Sequence, residues 1–285
     1  MKFENIPHVF YINSDDREDL KYYTESNLVN IGITNFTRIS DSNLNSKDFD
    51  NWKYLIYNED KITPNQIQEI SSSVLYINAI KEWIDNTNED NMIIMSDHVD
   101  YSYVEYFHKK WNWDYFIKNI PHDWDSILLG FEDRLNVLPC FLHPMRDSHG
   151  TGMTLLNREY AKKLVKFHFI DGKYNFFQNI SNKLWKNENG LVPLHYFMNQ
   201  CGKSYAIPLF PRNPKLTIDN YFSEDVIKTN KKLYTAWWRA FKNITSMEQF
   251  HLFHSNKDFY LNPKKLESKN FSIKQGNINH NFLKD

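Results

Sequence analysis

A short polar run in the middle of the chain has the residue types that bind divalent cations. Asp97, His98 and Asp100 directly follow the apolar segment 92–95, so two carboxylates and an imidazole fall within one turn of chain. These groups suit a hard cation such as Mn²⁺ or Mg²⁺. The same spacing also fits local capping, in which Asp97, Asp100 or Ser102 accepts a backbone hydrogen bond at the start of the next helix. The run therefore indicates either a metal site or a helix cap.

The segments around this run alternate between strand and helix. Short apolar stretches at 8–13, 36–39, 92–95 and 124–130 are typical of buried strands. Between the first two, Ser14 can cap a helix that stops near the next glycine. The connections are short enough to predict that the first two strands form a parallel pair.

Two further helices have recognisable starts. Thr63 can cap, Pro64 occupies the first helical position, and Gln66 completes a capping box. Asn157 is the predicted cap of a helix at 158–165. One face of the helix behind Thr63 carries apolar residues at three- and four-residue steps, namely Ile67, Ile70, Val74, Ile77, Ile80 and Ile84.

This alternation predicts an α/β fold with a mostly parallel sheet flanked by helices. Ligands of such sheets bind beyond the carboxyl ends of the strands, which is where Asp97 ends a buried strand. Beyond residue 210 prolines break the chain, residues 224–242 are predicted to be helical, and the end reads as a tail. We predict one domain at 1–210 and a C-terminal helical extension and tail at 211–285.

Composition narrows the classes of partner. The 34 Lys and Arg residues nearly balance 35 Asp and Glu residues, so overall charge disfavours nucleic acid as a partner and a nucleic-acid-modifying role. No apolar run approaches the roughly 18 residues that span a bilayer, and the start lacks the apolar core of a signal peptide. We therefore expect no membrane span and a cytoplasmic protein. Cys140 and Cys201 have no metal-binding or disulfide-scaffold spacing and are interpreted as buried thiols.

Five segments occur in an order that matches a known enzyme family. Together they resemble glycosyltransferase family 25, the lipopolysaccharide and collagen galactosyltransferase type, and they cover roughly residues 8–210. The segments are 9–17 (VFYINSDDR), 63–81 (the second helix), 93–99 (IIMSDHV), 124–130 (WDSILLG) and 151–164 (TGMTLLNREYAKKL).

The resemblance implies a GT-A-like fold and the transfer of a sugar from a nucleotide-diphosphate donor, usually a UDP-sugar. It implies a glycan or protein hydroxyl as acceptor and a divalent metal, Mn²⁺ or Mg²⁺. Asp97, Asp100 and His98 are then the expected metal ligands, with Asp97 also at the donor and in catalysis. Asn13 and Arg17 are expected to contact the donor, although Arg17 also fits an exposed helix arginine.

The chain departs from the family pattern at the metal motif. Where the family has Glu-Asp-Asp, this sequence has Ser96-Asp97-His98, so two of the three acids are missing. The pair formed by Asp97 and Asp100 is similar to the Asp-x-x-Asp pair in the glycosyltransferase domain of lysyl hydroxylases. The family's histidine in the second helix is also absent, and Ser73 stands near its place. The alternative is a catalytically degenerate GT-A-like sugar-binding or structural module.

An inverting sugar transfer needs a general base near the acceptor hydroxyl. His195 lies in a segment that resembles a Pro-Val-Asp segment of the family, and an imidazole suits this role at neutral pH. A histidine on a short helix also serves as a structural hydrogen-bonding residue. Asp147 and His149 are rival bases on a polar loop. Trp237 and Trp238 suit sugar stacking, but their helical spacing also fits packing onto the domain.

Overall fold

A seven-stranded sheet with helices against both of its faces forms the described part of the protein. In this computed structural model the described residues are 2–40, 49–102, 104, 107, 111–120, 123–131, 143–144, 152–176, 198 and 202–211. The α-helices within them are α1 (Glu18–Ile31), α2 (Ile67–Asn86), α3 (Trp113–Asn119) and α4 (Arg158–His168). The strands are β1 (Val9–Ile12), β2 (Phe36–Ile39), β3 (Asn91–Ser96), β4 (Ser126–Phe131), β5 (His143–Pro144), β6 (Met153–Asn157), β7 (Phe169–Ile170), β8 (Lys173–Tyr174) and β9 (Ser204–Pro211).

The main sheet has the strand order β2-β1-β3-β6-β4-β9-β5, and β7 and β8 form a separate hairpin. β1 pairs in parallel with β2 and with β3, as the short connections predicted for the first pair. β6 runs antiparallel to both of its neighbours, and β4 and β9 are parallel. Five strands of the seven, β1 to β4 and β9, therefore run in one direction. The predicted α/β fold with a mostly parallel sheet is confirmed, and it is compatible with a GT-A-like arrangement.

Alternate residues of the central strand enter two separate hydrophobic cores. Ile93 and Met95 pack with Trp113 of α3 on one face, whereas Ile94 packs with Ile77 of α2 on the other. Side chains point to opposite faces at successive strand positions, so a strand buried on both sides is apolar throughout. Fully burying one such side chain contributes about 1.5–3 kcal/mol. The two cores hold helices on both faces of the sheet.

The predicted starts of the second and fourth helices are confirmed. The Thr63 N–H donates to Gln66 Oε1 at 3.0 Å, and a 3₁₀ turn at Pro64–Gln66 leads directly into α2. Asn157 Oδ1 accepts the N–H of Tyr160 at 2.7 Å at the start of α4. Both caps satisfy backbone donors that a helix start leaves without a partner inside the helix.

The predicted cap of the first helix is wrong. Ser14 does not cap α1, which begins at Glu18; instead the Ser14 carbonyl accepts the Arg17 N–H at 3.0 Å and closes a turn. The physical reason lies on β2, since Arg38 Nη2 also donates to the Ser14 carbonyl at 3.2 Å. Gly32 ends the helix with a φ of 93°, the left-handed conformation that favours glycine.

Arg158 ties the end of α2 to the start of α4. Its guanidinium donates to the carbonyls of Ile84, Thr87 and Glu89 at 2.7–2.9 Å and lies 4.9 Å from the Trp83 ring. These carbonyls belong to a helix end and the turn after it, where backbone acceptors lack helical partners. The contacts of Arg158 lie where β3 begins and β6 ends. This is the opposite end of the strands from Asp97, which follows the end of β3.

Thr154 on β6 is fully buried, and its hydroxyl has no hydrogen-bond partner among the described residues. Thr154→Val removes a desolvated hydroxyl and keeps the side-chain shape, so we expect the free energy of unfolding to rise by about 1 kcal/mol. Urea denaturation measures the change. The control is Ser126→Ala, because the Ser126 hydroxyl is also buried but donates to Ser204 Oγ at 2.7 Å. That control is expected to lose stability, and a loss in Thr154→Val as well would contradict the prediction.

Within the described ranges, no helix has the length and apolar character needed to cross a membrane. The predicted C-terminal extension, apart from Pro211 at the end of β9, falls outside the described residues. The two cysteines, Cys140 and Cys201, also fall outside them.

Candidate functional site

The carboxyl ends of three parallel strands bring the candidate residues together. Ile12 of β1 is in register with Ser96 of β3 and with Ile39 of β2, so the residues that follow these strands are neighbours. Asn13 and Asp97 are the first residues after β1 and β3, and Asn13 Nδ2 donates to Asp97 Oδ2 at 2.8 Å. The structure thus places polar residues side by side at the edge where ligands of α/β sheets bind.

Asp97 is held from its main chain and from its side chain. Its carbonyl oxygen accepts the Thr24 hydroxyl of α1 at 3.0 Å, while Oδ1 lies 3.3 Å from Nδ1 of His98. The side chain of Asp97 is 14% exposed. The carboxylate is therefore oriented by its neighbours and retains a small exposed surface.

His98 lies between the side chains of Asp97 and Ser96 at the end of β3. A carboxylate only accepts hydrogen bonds, so Nδ1 carries the ring proton in the neutral tautomer. Nε2 lies 3.1 Å from the Ser96 hydroxyl oxygen, and that hydroxyl donates to the Gly152 carbonyl at 3.4 Å. The Ser96 N–H donates to the Gly152 carbonyl at 2.9 Å, which joins this group to the start of β6.

A buried phenol lies beside these residues. The Tyr101 O–H donates to Met95 Sδ at 3.6 Å. Burial raises the pKa of Tyr101 well above its usual value, and the neighbouring Tyr23 and Asp97 contribute to the rise. Tyr101 is therefore neutral at physiological pH and adds no charge to the site.

Asp100 makes a local backbone contact, as the capping alternative expected, although the next described α-helix, α3, begins only at Trp113. Asp100 Oδ1 accepts the N–H of Ser102 at 2.9 Å, a bond within its own turn. Asp97, by contrast, directs its carboxylate to Asn13 and His98. The structure therefore brings Asp97 and His98 together and gives Asp100 a local partner.

Within the part of the chain that the structure describes, no group of three or more His, Cys, Asp or Glu residues is placed to hold a metal ion. Asp97 and His98 still offer one oxygen ligand and one nitrogen ligand at the strand end. At phosphate sites Mg²⁺ commonly takes only one or two protein carboxylates, and substrate phosphates and water complete its shell. This donor set fits a cation that arrives with a diphosphate, and the metal site remains a prediction.

Arg38 of β2 is part of the site, and the sequence analysis missed it. Its Nε donates to Asn13 Oδ1 at 2.8 Å, and its Nη2 lies 3.2 Å from Asp15 Oδ1. The available signal was an arginine in a four-residue strand, one position before the strand ends. Arg38 reaches Asn13 only because β1 lies beside β2, and the sequence does not state which strands are adjacent.

Of the remaining candidate residues, the structure describes Arg17 and leaves the others outside the described ranges. Arg17 lies at this edge, where its carbonyl accepts from Asn13 Nδ2 at 3.0 Å and its Nε lies 3.5 Å from Asp19 Oδ1. Several predicted residues fall outside the described ones, namely His195, Asp147, His149, Trp237 and Trp238. The general base therefore remains a prediction.

Comparison with known proteins yields little. No protein-family model matches the chain. No curated protein sequence matches it significantly. Among solved structures the chain is similar to A197 from STIV, with 14% identity, coverage of 72% of this chain and 83% of that chain, and a TM-score of 0.35. At this TM-score and identity, the similarity does not indicate a shared fold or function.

Proposed function

We propose that this protein is a metal-dependent glycosyltransferase that moves a sugar from a nucleotide-diphosphate donor, usually a UDP-sugar, to a glycan or other hydroxyl acceptor. The observation that carries the proposal is the hydrogen bond between Asn13 and Asp97, which joins the carboxyl ends of two adjacent parallel strands. The resemblance to family 25 supplies the reaction class. On the sequence grounds above, the cytoplasm remains the proposed compartment.

In this proposal Asp97 and His98 hold the cation that accompanies the diphosphate. When bound, such a cation neutralises the charge that develops on the leaving nucleotide. Asp100 is the third proposed ligand; its Oδ1 accepts the N–H of Ser102 at 2.9 Å, so the second carboxylate oxygen would bind the cation. Asn13 was predicted to contact the donor, but it is 1% exposed and bonded to Asp97, so in this proposal it orients Asp97 instead. Arg17 meets the donor, and His195 accepts the proton of the acceptor hydroxyl.

A catalytically degenerate module is the second candidate, and specific contacts favour it. Both carboxylate oxygens of Asp97 have partners within the protein, Asn13 at 2.8 Å and His98 at 3.3 Å. Ser96 occupies a place where the family has an acid. A protein of this kind keeps the fold and binds a sugar nucleotide or glycan without transferring the sugar.

Titration calorimetry of UDP, with and without Mn²⁺, tests the proposed metal role. We expect Mn²⁺ to raise the affinity of the wild type at least tenfold, about 1.4 kcal/mol, and Asp97→Asn to abolish that gain. The matched control is Asp114→Asn, because Asp114 is an exposed carboxylate on α3 whose partner is Asn5. That control is expected to behave as the wild type does.

Equal UDP affinity with and without Mn²⁺ in the wild type would remove the metal from the proposal. Donor hydrolysis then separates the two candidates, because many active transferases slowly cleave their donor without an acceptor. Release of UDP from a sugar nucleotide supports the enzyme. Binding of UDP without release from any sugar nucleotide supports the degenerate module.

A further inference from the structure

We infer that Arg38 is a positioning residue, which sets the direction of the Asp97 carboxylate through the side-chain amide of Asn13. Its consequence for donor binding rests on the proposed function. The three residues follow one another across β2, β1 and β3, with Arg38 at the far end and Asp97 at the candidate site.

The first step concerns which end of the Asn13 amide faces Arg38. A guanidinium has five N–H donors and no acceptor, so the amide atom 2.8 Å from Arg38 Nε has to be the oxygen, Oδ1. The amide nitrogen consequently points the other way. Its two N–H groups then donate to Asp97 Oδ2 at 2.8 Å and to the Arg17 carbonyl at 3.0 Å.

The second step is that the amide has no alternative partner in water. Asn13 is 1% exposed, so every hydrogen bond of its side chain has to be made within the protein. A reversed amide would place N–H groups against the guanidinium of Arg38 and its oxygen against the carboxylate of Asp97. Both contacts would become repulsive at once, and the observed orientation is therefore strongly selected.

The third step is that Arg38 itself is fixed. Its side chain is 19% exposed, and Nη2 lies 3.2 Å from both the Ser14 carbonyl and Asp15 Oδ1. Nη1 lies 4.0 Å from Glu18 Oε1. The planar fork of the guanidinium reaches Asn13 and the 14–15 turn together, a geometry that a lysine ammonium does not reproduce.

Hydrogen exchange of the Asn13 side-chain amide, followed by nitrogen-15 NMR, tests the inference. The signal is assigned as the one missing from Asn13→Asp. In Arg38→Met we expect this exchange to become at least tenfold faster, and UDP affinity in the presence of Mn²⁺ to fall at least fivefold. The control Arg158→Met removes another partly buried arginine at the opposite edge, and both quantities should stay within twofold of the wild type.

Arg38→Lys is the second variant, because it keeps a positive charge beside Asp15 and Glu18 and folds more readily. It loses the fork and is expected to change both quantities in the same direction. Unchanged amide exchange in the folded Arg38 variants would overturn the inference. Faster exchange with unchanged UDP affinity would overturn the consequence for donor binding and leave the positioning of Asn13 by Arg38 in place. If the wild type binds no UDP, the proposed function fails, and amide exchange alone decides the role of Arg38.

Discussion

Gly130→Ala is expected to lower the free energy of unfolding by at least about 3 kcal/mol. A Cβ atom at position 130 would lie 2.2 Å from Met153 N and 2.7 Å from the carbonyl carbon of Gly152. Both contacts are with backbone, so the chain at Gly130 and the start of β6 would have to move apart. Urea denaturation of the two proteins measures the loss.

Gly172→Ala is the matched control for this substitution. Gly172 lies in the hairpin between β7 and β8, has a φ of 79°, and has open space where a Cβ would be. Alanine there costs only the left-handed conformation, about 1–2 kcal/mol. The prediction would be wrong if Gly130→Ala lowered the free energy of unfolding by no more than Gly172→Ala does.

Acidification from pH 6.5 to pH 4 is expected to remove about 3 kcal/mol of stability through His168 alone. Burial lowers the pKa of His168 from 6.5 to about 4, partly opposed by the bond from Nδ1 to the Asn175 carbonyl, 2.9 Å long. Between pH 6.5 and 4, His168 is therefore protonated in the unfolded chain and stays largely neutral in the folded chain. Stability from this residue is complete above pH 6.5 and is lost as the pH falls toward 4.

The pH profile of unfolding in urea, compared with that of His168→Phe, isolates this contribution. The His168 ring stacks against Phe176 with ring centroids 5.5 Å apart, so a phenyl ring suits the environment but cannot titrate. His8→Gln is the control, because burial also lowers the pKa of the half-buried His8. In His8→Gln, the free energy of unfolding should fall between pH 6.5 and 4 by most of the amount seen in the wild type. A wild-type slope equal to that of His168→Phe would contradict the prediction.

Local patterns predicted most of the described architecture. The Thr63 capping box and the Asn157 cap each depend on residues three positions apart, and both are present in the structure. The apolar run of β3 predicted a central strand with both faces buried. Each of these features depends on neighbours in the sequence or on the periodicity of one element, and such information is contained in a short window.

The first helix and Asp100 show where local reasoning reached its limit. The Ser14-Asp15-Asp16 run has the residues of a helix cap, yet a guanidinium from β2 holds the Ser14 carbonyl and Asp15 in a turn. Asp97 and Asp100 are the same residue type three positions apart. One bonds across the sheet and the other within its own turn, because only Asp97 follows directly from a strand that lies beside β1.

By itself, the sequence determined the fold class, the elements that bury their apolar faces, and the strand end at which Asp97 lies. Tertiary structure alone decided the partners of Asp97, since Asn13 and Arg38 come from other strands. Periodicity states which side of a strand is buried, but it does not state which strand is adjacent or in what register. The direction of a side-chain hydrogen bond depends on both, and so the role of Arg38 emerged only when β2, β1 and β3 were aligned.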